Sequence, residues 1–347
     1  MKLYSLLKVA GGNRIPSGVK ILGLAALYGL GRRVVGVFMD PVLSCNLRCK
    51  MCFFSDPVKR AEMKGVIPPE SVKVIAESVF PRALKLQIGC AAEPTLWPQD
   101  KLVELILLAK SYGVPYVSLT SNGQLLASEK VSLRALVAAG LDELTLSMHG
   151  ASAEVYEELM PGARFENLVR LLNIVRAVKD EFPEFKLRIN FTVNSLNVAD
   201  LSADRIDALF DRTMWPDILQ IRPVQKLGES EWNDFSHDLI REQYDLTIGR
   251  LARELHARGA TAILPSLEEL DEVTTAQSGA SAVIEDFTYC YVSPHGCYKP
   301  DFDPHKETLT QYLRRKNSFR ALLRAVFSPA RKQRNKISTK KLNYHVK

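Results

Sequence analysis

Between residues 34 and 264 two hydrophobic periodicities alternate, and this alternation restricts the fold more than any other feature of the chain. The runs 34–43, 84–88, 116–120, 143–148, 186–193 and 218–224 are β-branched and apolar, the pattern of buried parallel strands. The segments 71–80, 101–112, 129–139, 165–181, 201–210 and 238–258 repeat apolar residues three and four apart and predict helices. Pro68-Pro69 suit the start of the first helix, and Gly140 suits a C-terminal cap on the third. Strand followed by helix six times requires long crossovers, hence a parallel sheet with helices outside it. An open doubly wound sheet and a partial barrel both satisfy the pattern. In either, ligands gather at the C-terminal ends of the strands. After residue 264 the pattern weakens. Residues 266–282 read as a polar connection, 287–298 as a strand or hairpin around Ser293-Pro294-His295-Gly296, and 309–327 as a helix ended by Ser328-Pro329. Residues 329–347 are expected to be disordered.

The first strand runs into Ser44-Cys45-Asn46-Leu47-Arg48-Cys49-Lys50-Met51-Cys52. Three thiols at C-x3-C-x2-C on a strand-end loop suit one face of an iron–sulfur cubane. The absence of a fourth nearby cysteine leaves one iron open to a ligand, as catalytic metal sites require. A zinc site is the competing reading, but it calls for a second cysteine or histidine pair, and His149 lies far along the chain. Six cysteines so unevenly placed do not make a disulfide scaffold and point to a reducing, cytoplasmic setting.

The motif resembles that of the radical S-adenosylmethionine (radical SAM) superfamily, and the resemblance covers roughly residues 34–264. It implies an α/β fold, a partial (β/α)6 TIM-like barrel of parallel strands, with one [4Fe–4S] cluster on Cys45, Cys49 and Cys52. It also implies S-adenosylmethionine on the open iron and an external one-electron reductant of flavodoxin or ferredoxin type. Reductive cleavage would then give a 5′-deoxyadenosyl radical that abstracts a substrate hydrogen. Met51 occupies a position that is often aromatic in the family. Ala91-Ala92-Glu93-Pro94 resembles the family's Gly-Gly-Glu-Pro turn and implies contacts to the methionine moiety, with Glu93 accepting from its ammonium. Thr120-Ser121-Asn122-Gly123 resembles its third-strand turn. Ser147, Asn190 or Asn194, and Arg222 are further expected cofactor contacts, while His149 reads equally as a substrate contact or a structural histidine.

Residues 287–324 resemble a shortened SPASM or twitch extension, through Val292-Ser293-Pro294-His295-Gly296, Tyr298-Lys299-Pro300 and the helix that follows. Asp301 stands where that extension carries a cysteine, and Cys90, Cys290 and Cys297 do not fit its pattern, so no second cluster is expected. Cys90 reads as a structural cysteine, with a hydrogen donor near the radical as the alternative. The expected divisions are 1–33, 34–264, 265–328 and 329–347. Charge is unevenly spread. Residues 1–39 carry +6 and residues 313–347 carry +12 with no acid, which leaves −11 for the body out of an overall +7. The basic ends and the apolar segment 21–30 suggest an anionic membrane surface, too short to span it but able to lie on its inner face, or else a helix packed on the body. No nucleic-acid motif is present, so that partner is not expected. The substrate reads as a peptide or as a small or lipid-linked molecule. The alternative function is a non-catalytic iron–sulfur or electron-transfer protein.

Overall fold

The computed structural model describes residues 16–225, 230–267, 270 and 279–327. Its strands are β1 (Val35–Met39), β2 (Ala83–Ile88), β3 (Val117–Ser121), β4 (Glu143–Ser147), β5 (Lys186–Val193), β6 (Ile218–Pro223), β7 (Thr261–Ile263), β8 (Tyr289–Ser293) and β9 (Gly296–Cys297). They form one sheet in the order β7-β6-β5-β4-β3-β2-β1-β8-β9, parallel throughout except for the β8–β9 hairpin. From β1 to β7 each strand lies beside its sequence neighbour, with no reversal of order. A doubly wound sheet needs such a reversal to carry helices on both faces, so this order belongs to a curled, partial (β/α) barrel. The chain then returns to the opposite edge and sets β8 parallel to β1, pairing Val37 with Cys290 and Met39 with Val292.

The principal helices are α1 (Ser17–Gly29), α2 (Pro69–Val79), α3 (Gln99–Ser111), α4 (Leu133–Ala138), α5 (Phe165–Glu181), α6 (Ala208–Arg212), α7 (Ile248–Ala257), α8 (Gly279–Thr288), α9 (Leu309–Arg315) and α10 (Ser318–Phe327). In α5, Leu168, Leu171, Leu172, Val175 and Val178 recur at helical spacing and are the residues it buries. The strands alternate rather than being apolar throughout. In β5, Leu187, Ile189, Phe191 and Val193 are fully buried, while Arg188, Asn190 and Thr192 point the other way and are half-buried. The same alternation sets Val35, Val37 and Met39 of β1 against Phe38. One row seals against the helices, and the other gives the barrel a polar interior.

Five of the sequence expectations are corrected in detail. The helix expected over 129–139 begins only at Leu133, as α4, because Glu129 at φ 56° ends a separate turn of helix at Gln124–Ala127. The segment 201–210 passes through a wide π turn (Ala203–Asp207) before α6, because Asp200 just ahead of it is drawn inward to another loop. The helix expected over 238–258 divides into Asp238–Glu242 and α7, with Thr247 buried at the break and bonded to Gln243 O through Oγ1. Residues 279–288 of the C-terminal region form α8 where the polar connection was expected to extend to 282. The helix expected over 309–327 is split by Asn317 at φ 51°. Residues 271–278 of that connection, and 328–347 of the expected basic tail, lie outside the described residues.

Candidate functional site

The loop after β1 is anchored from outside itself. Arg48 N donates to Pro161 O at 3.0 Å, Lys50 N to Leu159 O at 3.0 Å, and Trp232 N to Lys50 O at 3.1 Å. Lys50 Nζ meets Glu158 at 2.9 Å, and Leu47 is buried beneath the loop. Cys45, Cys49 and Cys52 are free thiols. Burial is the first cause that pushes all three up, Cys45 to about 12 and Cys49 well above its ordinary value, and repulsion from Cys45 and Cys52 adds to the rise at Cys49. Such repulsion places the three thiols within electrostatic reach of one another. Leu47 N donates to Cys45 Sγ at 3.4 Å and Phe54 N to Cys52 Sγ at 3.5 Å, backbone donors that suit a thiolate acceptor. Among the described residues no three His, Cys, Asp or Glu side chains are gathered for a single metal ion. The donor set fits a multinuclear iron–sulfur group, in which each thiolate takes a different iron and the positive irons offset the burial of charge.

Around this loop, buried carboxylates grip backbone amides. Asp40, at the end of β1 and fully buried, accepts from Cys90 N at 2.8 Å, Ala91 N at 3.1 Å, Ala92 N at 3.4 Å and the Tyr291 hydroxyl at 2.7 Å. Burial raises its pKa, and these donors oppose the rise. Glu93 accepts at Oε1 from Thr95 N (3.1 Å), Thr95 Oγ1 (2.5 Å) and Ser121 Oγ (2.8 Å), and at Oε2 from Asn122 N (2.7 Å). Its own N donates to Ser44 O at 2.8 Å, which ties the second-strand loop to the cysteine loop. Asn122 Nδ2 completes the link, donating to Asn46 Oδ1 at 2.8 Å and lying 3.9 Å from Cys45 Sγ. Asp200 repeats the device, taking Ala151 N at 2.7 Å and Ser152 N at 2.9 Å. Gly89 and Gly123 make the turns possible. Their φ values are 81° and 79°, and a Cβ would meet Thr120 O and Leu171 Cδ2 respectively, each at 2.5 Å.

The other expected contacts line the same rim or interior. Ser147 pairs with Asn190 across β4 and β5, and Asn190 Oδ1 is a buried acceptor without a donor among the described residues. Met51 is buried with Leu159, Val224 and Trp232, and Asn194 Nδ2 reaches its sulfur at 3.5 Å. Arg222 pairs with Thr192 in register, and its charge is felt by Lys85 and Arg188. Thr192 N donates to His149 Nδ1 at 3.1 Å, and burial lowers the pKa of this imidazole to about 4. Below the rim a polar network crosses the barrel. Lys85 lies 4.6 Å from the centre of the Phe38 ring and bonds Gln87 Oε1 at 3.1 Å. Gln87 reaches Thr120 Oγ1 at 3.3 Å, and Glu143 takes Tyr116 OH at 2.7 Å and Arg188 Nη2 at 3.2 Å.

Cys90 sits beside Gln87, with Nε2 at 3.8 Å from its sulfur, whereas Cys290 and Cys297 lie on the two strands of the β8–β9 hairpin, where Cys297 raises the pKa of Cys290. Asp301 accepts from Tyr312 OH at 2.8 Å and from Lys316 Nζ at 2.5 Å, a surface ion cluster. A cavity of about 370 Å³ opens beside Cys45, with Arg48, Arg60 and Lys64 on its rim and Phe54 and Met63 in its wall. Two residues of this site escaped the sequence reading. Asp40 and Asp200 are acids set at the border of apolar segments, and that placement was the available signal.

The family model described as "Radical SAM superfamily" matches residues 40–190. A GTP 3′,8-cyclase of Chlorobaculum tepidum is 28% identical over 54% of this chain and 52% of its own length. One from Limosilactobacillus fermentum is 31% identical over 42% of each. The chain thus spans about half the length of the curated relatives it matches. Among solved structures, Streptococcus suis SuiB bound to S-adenosylmethionine superposes with a TM-score of 0.58 at 16% identity, over 80% of this chain and 63% of that one. SuiB bound to its precursor peptide SuiA gives 0.58 at 14%, over 84% and 67%. These structures share the fold.

Proposed function

We propose, from the premise that residues 40–190 are a radical SAM domain, that this chain is a radical SAM enzyme that binds one [4Fe–4S] cluster at Cys45, Cys49 and Cys52. When bound, the cluster and S-adenosylmethionine supply one-electron reductive cleavage to a 5′-deoxyadenosyl radical, which takes hydrogen from substrate. The observation that carries the reading is the convergence of the cysteine loop, Glu93 and Asn122 into one hydrogen-bonded unit at the C-terminal rim. Oε2 of Glu93 carries one donor and keeps an acceptor site for an ammonium. Ala91 and Ala92 present small side chains beside it, and Asn190 Oδ1, next to Ser147, is an acceptor suited to a ribose hydroxyl. Arg222 supplies a cation for a carboxylate, and Met51 supplies apolar surface by the third cysteine. Glu93 and Met51 are buried, which would limit water beside a bound cofactor.

The polar interior, with Lys85, Gln87, Arg188 and Gln220, supports a substrate that places a polar group in the barrel. The relatives named as cyclases act on GTP, and SuiB holds a peptide. For this chain a peptide and a small or lipid-linked molecule both supply such a group. Anaerobically reconstituted protein with dithionite should form 5′-deoxyadenosine, and Cys49→Ala should form none. A cluster that assembles and shows no electron paramagnetic resonance change with S-adenosylmethionine, and no cleavage, would establish the non-catalytic iron–sulfur reading instead.

A further inference from the structure

We propose that the outward face of α1, with the adjoining end of α10, docks the protein on an anionic membrane surface. In α1 the residues Ile21, Leu24, Ala25 and Tyr28 are buried against the body. At 100° per residue, Val19, Leu22, Ala26 and Leu30 fall on the opposite side. That side faces solvent: Val19 is 56% exposed, Leu22 51% and Leu30 71%, with Leu27 beside them at 43%. The outward face contains no polar side chain. Apart from Lys20, a cation at the edge of the stripe beside Leu27, the helix is apolar around its circumference; such a helix belongs in a core or against lipid, and this one is half covered.

What surrounds the stripe is cationic. α1 packs on α10, and the Phe319 ring of α10, itself 44% exposed, lies against Gly29. Arg320 and Arg324 are exposed on α10, and Arg32 is exposed just past α1. The segment before α1, residues 1–15, holds Lys2, Lys8 and Arg14, and the segment after α10, 328–347, holds seven Lys and Arg; neither contains an acid. Two packed helices therefore join an apolar stripe to the chain's two most basic segments. An interfacial helix needs this pairing, apolar side chains at the acyl boundary and cations at the anionic head groups. A twofold contact between copies through the same face would set these cations against one another. No described helix is long and apolar enough to cross a membrane, and α1 spans only about 20 Å.

The test is flotation of the full chain with vesicles of phosphatidylcholine containing about one third phosphatidylglycerol, and with phosphatidylcholine alone. Binding to the anionic vesicles at low salt, weakened at least about tenfold near 0.5 M salt, is expected. Leu22→Glu/Leu30→Glu should lower the bound fraction at least about tenfold while its melting temperature stays within about 3 °C of the parent, since both side chains are exposed. If the charged pair unfolds, Leu22→Gln/Leu30→Gln repeats the comparison. Absence of binding to anionic vesicles at low salt overturns the proposal. So does binding that the substitutions leave unchanged, which would assign it to the basic segments alone. A dimer in solution that the substitutions dissolve, without vesicle binding, would assign the face to a second copy.

Discussion

Asp40 carries a carboxylate with no solvent contact, a placement that costs several kcal/mol unless donors surround it. Four donors do, and three of them are the successive amides 90–92 of the loop that bears Ala91 and Ala92. The fourth, the Tyr291 hydroxyl, comes from β8, so the returning strand helps hold a loop set by β2. On the proposed function, Asp40 is accordingly a positioning residue for the loop that would hold the cofactor. Asp40→Asn replaces one acceptor oxygen by an NH2 facing other donors and should cost about 1–3 kcal/mol. The expected signature is roughly tenfold weaker S-adenosylmethionine binding, read from the spectral perturbation, with the cluster signal in its absence unchanged. An equal loss of cluster and cofactor would make the residue merely structural. Tyr291→Phe removes one donor and should do less. His149 yields a pH dependence. Its folded pKa, about 4, lies below the ordinary 6.5, so the unfolded chain takes up the proton first as pH falls. Stability attributable to His149 is complete above about pH 6.5 and falls toward pH 4, by on the order of 3 kcal/mol. His149→Asn, which keeps an acceptor for Thr192 N, should flatten denaturation midpoints across that window; an unchanged slope would refute the assignment.

At the scale of elements, the turns at strand ends decide whether these residues meet. Gly123 follows β3 at φ 79°, and a side chain there would strike Leu171 of α5 and Leu146 of β4. Gly123→Ala should lower stability by about 2 kcal/mol or more, from strain and overlap together, measured by chemical denaturation. The basic rim of Arg48, Arg60 and Lys64 beside Cys45 suits an acidic electron donor. Arg60→Glu/Lys64→Glu should raise the KM for reduced flavodoxin at least about fivefold and leave dithionite-driven cleavage unchanged. Equal loss with both reductants would place these residues in another role. The six strand positions, α5 and the cysteine loop were legible because period-2 and period-3.6 patterns and a three-thiol spacing are local signals. The break at Ala203–Asp207 was not, because it follows Asp200, which reaches the distant amides of Ala151 and Ser152, and those at Glu129 and Asn317 rest on a positive φ that residues other than glycine seldom announce. Asp40 was likewise hidden. Its four donors lie 50 to 251 residues away, and no spacing rule reaches that far.

For the whole molecule, α1 and the elements after β7 close one side of the barrel. β8 extends the sheet beyond β1, α8 leads into it, and α1 crosses outside, with the Tyr28 hydroxyl donating to Phe287 O and the Tyr28 ring edge-on to Phe287 at 5.9 Å. Arg82, at the start of β2, lies 5.5 Å from the centre of the same Tyr28 ring. Residues 17–29 are therefore part of the folded body on their inner face, and the apolar run that the sequence offered to a membrane or to a core serves the core with one half of its circumference. Burial of Ile21, Leu24 and Tyr28 is worth roughly 1.5–3 kcal/mol each. Removal of residues 1–33 should therefore lower stability by several kcal/mol and expose the outer side of α8 and α10. A melting temperature at least about 10 °C lower, with a single transition, is the expected result. A truncated protein that melts within about 2 °C of the parent would show α1 to be an appendage and would free its inner face for a partner. For the same reason membrane docking has to be tested by substitutions on the outer face, since deletion of α1 removes a core contact and a docking surface together.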